Sequence, residues 1–191
     1  RPDSALGVPG LLQAIRAGEV VVANAPGAGW LESPGLSAFW PAIARRLMGE
    51  ALSLPAATSW WCGEEAVWRA NQPRLSEFLV VPTFPASETT RSFNPSLMSS
   101  QSATARAAWQ ARIESDAAAH TLQSRLRPSE MPVWREGSLE PRPAVLRVYA
   151  LADGRGGWRV LPGGLTRVAG RRDGGADVWL SMQQGSASAD T

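Results

Sequence analysis

Lysine is absent from this chain of 191 residues, although nineteen arginines are present. Without lysine the protein cannot form a Schiff base, and it lacks the usual point-charge ligand for phosphate. Seventeen acidic residues leave a formal net charge of only +2. The arginines are scattered, whereas a protein that binds a phosphate backbone concentrates its positive charge on one face. Nucleic-acid binding is therefore the least favoured function class.

Cysteine and histidine occur once each. Cys62 cannot form an internal disulfide or a zinc site, and His120 alone cannot make a metal cluster. Cys62 follows two tryptophans in "SWWCGE", and one alternative is a nucleophilic thiolate, which needs a base or a positive field. No spacing rule connects Cys62 with His120. We therefore expect Cys62, Trp60 and Trp61 to be buried packing residues and His120 to lie at a strand edge.

Long hydrophobic runs are also missing. No stretch approaches the roughly 18 apolar residues of a membrane span, and "RPDSALG" has neither the apolar region of a signal peptide nor the character of a transit peptide. We expect no membrane contact and a cytoplasmic location. We expect a fragment of a longer chain, because the sequence begins abruptly. Hydrophobic residues make up 44% of the chain, which is enough for a core.

The first part of the chain predicts a helix, a strand and a second helix. Pro9 precedes the helical spacing of "GLLQAIRA", which Gly18 would end. The run "EVVVAN" predicts a short buried strand. Ser33 then predicts the cap of a helix that reaches Gly49 and that Pro41 would kink.

The rest of the chain predicts further alternating elements. These are a helix from Glu64 to Arg69, a strand "EFLVV" that ends at Pro82, a helix near 102–118 and a strand "HTLQSRL". Residues 83–101 are rich in Ser, Thr and Pro, and we expect them to be the least ordered internal segment, a mobile loop or lid. The pattern favours an α+β fold of two lobes, 1–71 and 72–191, with mixed or antiparallel sheets, flanking helices and a ligand between the lobes.

The stretch "LRVYALADGRGGWRVLPGGLTRVAG", residues 146–170, predicts a β-hairpin because two apolar-rich runs flank a turn-forming "DGRGG". Arg147 lies in the first run, and a third run carries Arg167. An arginine on an antiparallel strand can be a solvated residue, because only one face of such a sheet need be buried. The other interpretation is that the two arginines hold an anionic ligand in a common cleft.

Four stretches together resemble the circularly permuted ATP-grasp proteins, which are similar to glutathionylspermidine-synthase-like ligases. They are "ALGVPGLLQAIRAGEVVVANAPGAGWLESP", "LPAATSWWCGE", "LEPRPAVLRVYALADGRGGWRVLPGGLTRVA" and "QQGSASADT". The resemblance implies a bacterial protein with an ATP-grasp-like fold. It also implies ATP and Mg²⁺ as cofactors, and a ligation in which ATP phosphorylates a carboxylate and an amine or thiol displaces the acyl phosphate.

The resemblance also implies which residues would do this work. Arg147 and Arg167 would clamp the nucleotide and acyl phosphates, and a planar guanidinium can bind phosphate through two hydrogen bonds. Asn24, in "NAPG", looks like the turn that supplies a metal ligand. Gln123 and the next residue, Ser124, would contact the nucleotide base or sugar.

Several positions depart from the family pattern. Val81 occupies the place of the lysine that reaches the nucleotide phosphates, and Ser124 replaces the glutamate after Gln123. Ala189 stands where another lysine is usual. Val22 stands two residues before Asn24, where the family has an acidic residue, and Glu32 is a nearby carboxylate. Each lost charge-assisted hydrogen bond would cost about 1.5–3 kcal/mol of binding free energy.

Three function classes therefore remain. A degenerate ATP-grasp domain, with weak or no ATP binding and a protein or peptide partner, explains both the resemblance and the departures. An active ATP-dependent carboxylate–amine ligase is the alternative, in which Arg91 from the loop could restore the missing charge. A nucleic-acid binder comes last, for want of a basic patch.

Overall fold

In the part of the chain that the structure describes, the β structure consists of two four-stranded sheets and a separate two-stranded hairpin. The computed structural model describes residues 8–24, 26–84, 93–126, 128–135, 137–168 and 187–190. All strand pairs in these ranges are antiparallel, and helices accompany the sheets, so the predicted α+β class is confirmed. The first sheet joins strands from both sides of residue 71, and the division into lobes 1–71 and 72–191 stays a prediction.

The first sheet is built around two inner strands. Its strands are β1 (Ser59–Trp61), β2 (Phe78–Pro82), β3 (Ser96–Leu97) and β4 (His120–Ser124). They lie in the order β1-β4-β2-β3, which makes β4 and β2 the inner strands. The strands predicted from "EFLVV" and "HTLQSRL" are confirmed. The prediction that His120 lies at a strand edge is wrong, because His120 begins an inner strand, opposite Pro82.

One face of the first sheet carries the hydrophobic core. Val80 lies opposite Leu122, and Phe78 shares their face because side chains two residues apart on a strand point the same way. Helices α4 (Glu65–Asn71) and α5 (Ala103–Ser115) pack here through Trp68 and Ile113. The predicted helices in these two regions are confirmed. The buried cluster comprises Cys62, Trp68, Leu75, Phe78, Val80, Phe93, Met98, Ile113 and Leu122.

The three helices near the start of the described chain are short. They are α1 (Leu11–Arg16), α2 (Pro34–Ser37) and α3 (Trp40–Met48). The first predicted helix is confirmed, with Gly18 at φ 78° shortly after its end. The second predicted helix is divided, and Pro41 lies in the first turn of α3, where a proline breaks no hydrogen bond. No helix of the described residues is long and apolar enough to cross a membrane.

The second sheet and the hairpin lie in the later part of the chain. Their strands are β5 (Glu130–Arg135), β6 (Ser138–Arg147), β7 (Ala150–Ala152), β8 (Trp158–Val160), β9 (Leu165–Val168) and β10 (Ala187–Asp190). The sheet has the order β10-β9-β6-β5, and β7 pairs with β8. The carboxylate Oδ1 of Asp153 accepts hydrogen bonds from the backbone N–H groups of Arg155 at 2.8 Å and Gly157 at 2.9 Å. These bonds stabilise the turn. The predicted hairpin is confirmed over β7 and β8, whereas Arg147, which was predicted in its first arm, ends β6 of the second sheet.

The strand predicted from "EVVVAN", residues 19–24, is not formed. Val21 is 97% exposed, and Val20 and Val22 are exposed as well. No strand of the described residues pairs with this run. The prediction is wrong because a valine run becomes a strand only where another strand accepts hydrogen bonds from its N–H groups and donates to its C=O groups.

The segment 83–101 is only partly as expected. Residues 85–92, including Arg91, lie outside the described residues. Phe93, Leu97 and Met98 are buried, and a short 3₁₀ helix, Met98–Ser100, follows β3. The prediction of a mobile loop or lid is therefore wrong for residues 93–101, because their three large apolar side chains outweigh the Ser, Thr and Pro around them.

His120 is buried among aromatic rings and is 3% exposed. Its ring stacks on Phe93 with centroids 5.2 Å apart and meets the edge of Trp109 at 6.3 Å. Nδ1 donates to the carbonyl oxygen of Asp116 at 2.7 Å, and Nε2 has no hydrogen-bond partner in the described part of the chain. Burial lowers the pKa of His120 below 6.5, and the nearby Arg112 charge acts in the same direction, against the Asp116 hydrogen bond. His120 is therefore neutral at pH 7.

The opposite face of the first sheet is covered by α2 through hydroxyl groups. Ser33 Oγ donates to the carbonyl oxygen of Thr83 at 2.6 Å, and Thr83 Oγ1 lies 2.9 Å from Thr121 Oγ1. All three residues are buried. Gly35 lies directly against this layer, since a Cβ at its position would be 2.7 Å from Thr83 Cγ2. The missing side chain lets α2 approach the sheet.

Replacement of Gly35 by alanine tests this contact. We expect Gly35→Ala to lower the free energy of unfolding by about 1–3 kcal/mol, because the added methyl group overlaps Thr83. Gly29→Ala is the matched control, since no atom lies within 4 Å of a Cβ there. Urea unfolding of both variants measures the difference, and equal effects would contradict the close packing of α2.

Stability should fall in mild acid because of His120. The unfolded histidine takes up its proton near pH 6.5, whereas the buried ring does so only at lower pH. The unfolded state therefore binds more protons as the pH falls through 6.5, and the free energy of unfolding decreases there, whereas above that range His120 contributes no slope.

Urea unfolding between about pH 8 and about pH 5 measures this slope. The protein has one histidine, so His120→Asn removes the histidine contribution while its amide can still donate to Asp116. A variant with an unchanged slope would contradict this account, whatever its absolute stability.

Candidate functional site

The register of the second sheet places Arg147 and Arg167 on one face. Arg147 on β6 lies opposite Leu165 on β9, and Val145 lies opposite Arg167. Because opposing residues share a face, the two arginines form a diagonal pair, about 7–8 Å apart in such a ladder. Arg147 is exposed and Arg167 is half-buried. This separation is between backbone positions, and two arginine side chains that start from such positions are long enough to reach one phosphate group.

The opposite face of the same two strands is more buried. Thr166 and Val168 project there and are each 7% exposed. Arg142, earlier on β6, is also buried and donates to the carboxylate of Glu140. The two predicted arginines thus lie on the more accessible side of the sheet. That a cleft faces them stays a prediction.

Val81 and Gln123 share the face of the first sheet that α2 covers. Val81 lies opposite Thr121, and Gln123 is two residues further along β4. Val81 is only 3% exposed. Gln123 Nε2 donates to Ser59 Oγ at 3.1 Å. Val81, which we predict to occupy the place of the family lysine, is therefore enclosed among strands and hydroxyl groups.

Ser124 and Asn24 belong to neither of these pairs. Ser124 follows Gln123 on β4 and so projects to the opposite face, where it lies opposite Phe78. Its backbone N–H donates to the carbonyl oxygen of Thr58 at 2.8 Å. Asn24 is exposed in an irregular segment before α2. The structure therefore brings the predicted residues together as two pairs on different sheets.

Sequence reasoning missed the hydroxyl layer formed by Ser33, Thr83 and Thr121. The available signal was a threonine in or beside a strand that is otherwise apolar, in "VVPTF" and "HTLQS". A hydroxyl at such a place must find a buried partner, because an unpaired polar group is costly in a core. The pairing with Ser33 could not be foreseen, because it joins residues 50 positions apart.

Cys62 lies in the core and is 1% exposed. Burial raises the pKa of its thiol to about 12, despite a hydrogen bond with the backbone of Leu122. The group is a neutral thiol at pH 7, so the nucleophile alternative has no support and the packing interpretation is confirmed. Trp60 and Trp61 are half-buried rather than buried, and Trp61 Nε1 donates to the carbonyl oxygen of Ala118 at 3.0 Å.

Comparison with known proteins places the chain in a family. A family model described as circularly permuted ATP-grasp type 2 matches residues 1–169. An uncharacterised protein of Synechocystis sp. is 32% identical over 191 residues, which cover 100% of this chain and 38% of that protein. An uncharacterised protein of Mycobacterium tuberculosis is 31% identical over 199 residues, which cover 99% of this chain and 35% of that protein.

A second uncharacterised protein of Mycobacterium tuberculosis is 33% identical over 168 residues, which cover 88% of this chain and 18% of that protein. The chain thus spans little more than a third of the length of the first two relatives. The matched range 1–169 contains both predicted pairs, Arg147 with Arg167 and Val81 with Gln123. The chain belongs to the circularly permuted ATP-grasp type 2 family.

Proposed function

We propose that this chain is a degenerate ATP-grasp domain that acts as a binding or assembly module and binds ATP weakly or not at all. The observation that carries the proposal is the environment of Val81. The family lysine that reaches the nucleotide phosphates is replaced by a valine that is 3% exposed, on a sheet face that α2 covers. The chain contains no lysine that could take the place of the family residue.

The replacement of the family glutamate also lowers the expected affinity for ATP. Ser124, in place of the glutamate, lies on the core side of the first sheet, away from Gln123. A charge-assisted hydrogen bond is worth about 1.5–3 kcal/mol, so two missing charges lower the affinity for ATP by several powers of ten. The remaining arginine pair can hold an anion but is not matched by a nucleotide pocket on the Val81 face.

Magnesium fits the described residues poorly. ATP-grasp proteins generally bind ATP together with Mg²⁺, a cation that prefers carboxylate and phosphate oxygens. Within the described ranges no group of three or more His, Cys, Asp or Glu side chains could hold a metal ion. Asn24, the proposed metal ligand, is exposed. The described residues therefore form no cluster of side chains that would hold Mg²⁺ by itself.

An active ATP-dependent carboxylate–amine ligase is the second candidate. The observation in its favour is the placement of Arg147 and Arg167 on one face of the second sheet. In such a ligase the two guanidinium groups would stabilise the charge that develops on the phosphoryl group during transfer to a carboxylate. The carboxylate and the amine would come from substrates that the sequence does not identify.

Calorimetry with Mg-ATP separates the two candidates. We expect no heat of binding up to about millimolar nucleotide, which corresponds to a binding free energy weaker than about −4 kcal/mol. Micromolar binding, about −8 kcal/mol, that disappears in Arg147→Ala would contradict the proposal and favour the ligase. Arg16→Ala is the matched control, because Arg16 is equally an exposed arginine but lies at the end of α1.

A further inference from the structure

The hairpin β7–β8 is exposed over its whole length. Leu151 is 50% exposed, Trp158 is 71% exposed and Val160 is 63% exposed. Among the described residues the two strands pair only with each other, so each has an open outer edge. A two-stranded hairpin is at best marginally stable in water, and open apolar edges pair readily with other chains. The hairpin therefore has the properties of a docking element.

The two faces of the hairpin differ in chemistry. Ala150 lies opposite Val160 and Ala152 lies opposite Trp158, so these four residues form one entirely apolar face. Leu151 lies opposite Arg159 on the other face. That face thus carries a positive charge at its centre. A strand beside β8 would meet apolar side chains on one side and a guanidinium group on the other.

The charges around the hairpin have mostly one sign. Residues 150–160, which form the hairpin, contain two arginines, Arg155 and Arg159, and one acidic residue, Asp153. The carboxylate of Asp153 already accepts two backbone hydrogen bonds in the turn. The surroundings of the hairpin therefore favour a partner with negative charge.

We propose that an extended segment of a partner protein, with alternating apolar and acidic side chains, adds to the outer edge of β8 and makes the hairpin a three-stranded sheet. This inference rests on the proposed role as a binding module, whose partner class it names. The apolar side chains of the segment lie beside Trp158 and Val160, and an acidic side chain lies beside Arg159.

The test uses two synthetic peptides of about eight residues, the length of a typical strand, one alternating valine with glutamate and the other alternating valine with lysine. The ¹⁵N-labelled chain reports binding through the indole N–H signal of Trp158 and the amide signals of β8. We expect the glutamate peptide to shift these signals and the lysine peptide to leave them unchanged.

Substitutions define the contacts. Trp158→Ala should weaken binding of the glutamate peptide at least about tenfold. Trp134→Ala is the matched control, because Trp134 is a tryptophan of nearly the same exposure, 68%, on β5. Arg159→Glu should reverse the preference in favour of the lysine peptide.

Four results would overturn the proposal: no binding of either peptide, equal binding of both, equal loss in the two tryptophan variants, or hairpin signals that shift with protein concentration alone, which would identify a second copy as the occupant. The outcome is independent of the Mg-ATP calorimetry. Micromolar ATP binding would overturn the proposed function, whereas a failed peptide titration without ATP heat would overturn only this inference.

Discussion

The pairing of β2 with β4 is the interaction on which the first sheet depends. These two inner strands are buried on both faces, as the exposures of 0% for Val80 and 3% for Val81 show. On one side they support the core beneath α4 and α5, and on the other they carry the hydroxyl layer beneath α2. The same pairing holds His120 among aromatic rings. The pairing of β2 with β4 therefore accounts both for the packing of this part of the protein and for the lowered pKa of His120.

The pairing also determines the surroundings of Val81, which we propose to occupy the place of the family lysine. A lysine needs room and a polar path to a phosphate, whereas Val81 lies next to Thr121 in a closed layer. Gly35 and Ser33 keep α2 against that layer. The packing that stabilises the first sheet thus supports our proposal that no nucleotide binds on its α2 side.

The later part of the chain has a different balance. The hairpin β7–β8 and the last residues of β6 leave large apolar side chains exposed, among them Leu146, Leu151, Trp158 and Val160. Exposed apolar surface of this extent is typical of interaction sites. In the described residues the first sheet is thus closed by packing on both faces, whereas the hairpin is open to solvent.

Local patterns in the sequence predicted much of this fold. The helices α1, α4 and α5, the strands β2 and β4 and the hairpin all follow from periodicity and turn residues. The strand expected at 19–24 is not formed, and the mobile loop expected at 83–101 is wrong over residues 93–101, because pairing and burial depend on distant parts of the chain. Arg147 and Arg167 were predicted as a pair, and only the register of β6 with β9 places them on one face. No local sequence pattern predicts the contact of Ser33 with Thr83, because the two residues are 50 positions apart.

Hydrogen exchange of the backbone amides of β2 and β4, measured with and without millimolar Mg-ATP, tests the central claim most directly. Each opening of the Val81 face requires that α2 leave the hydroxyl layer, so we expect these amides to exchange slowly and at the same rate with and without nucleotide. Nucleotide-dependent protection centred on Val81 and Thr121 would contradict the account, because it would mean that ATP binds where the structure has a closed layer.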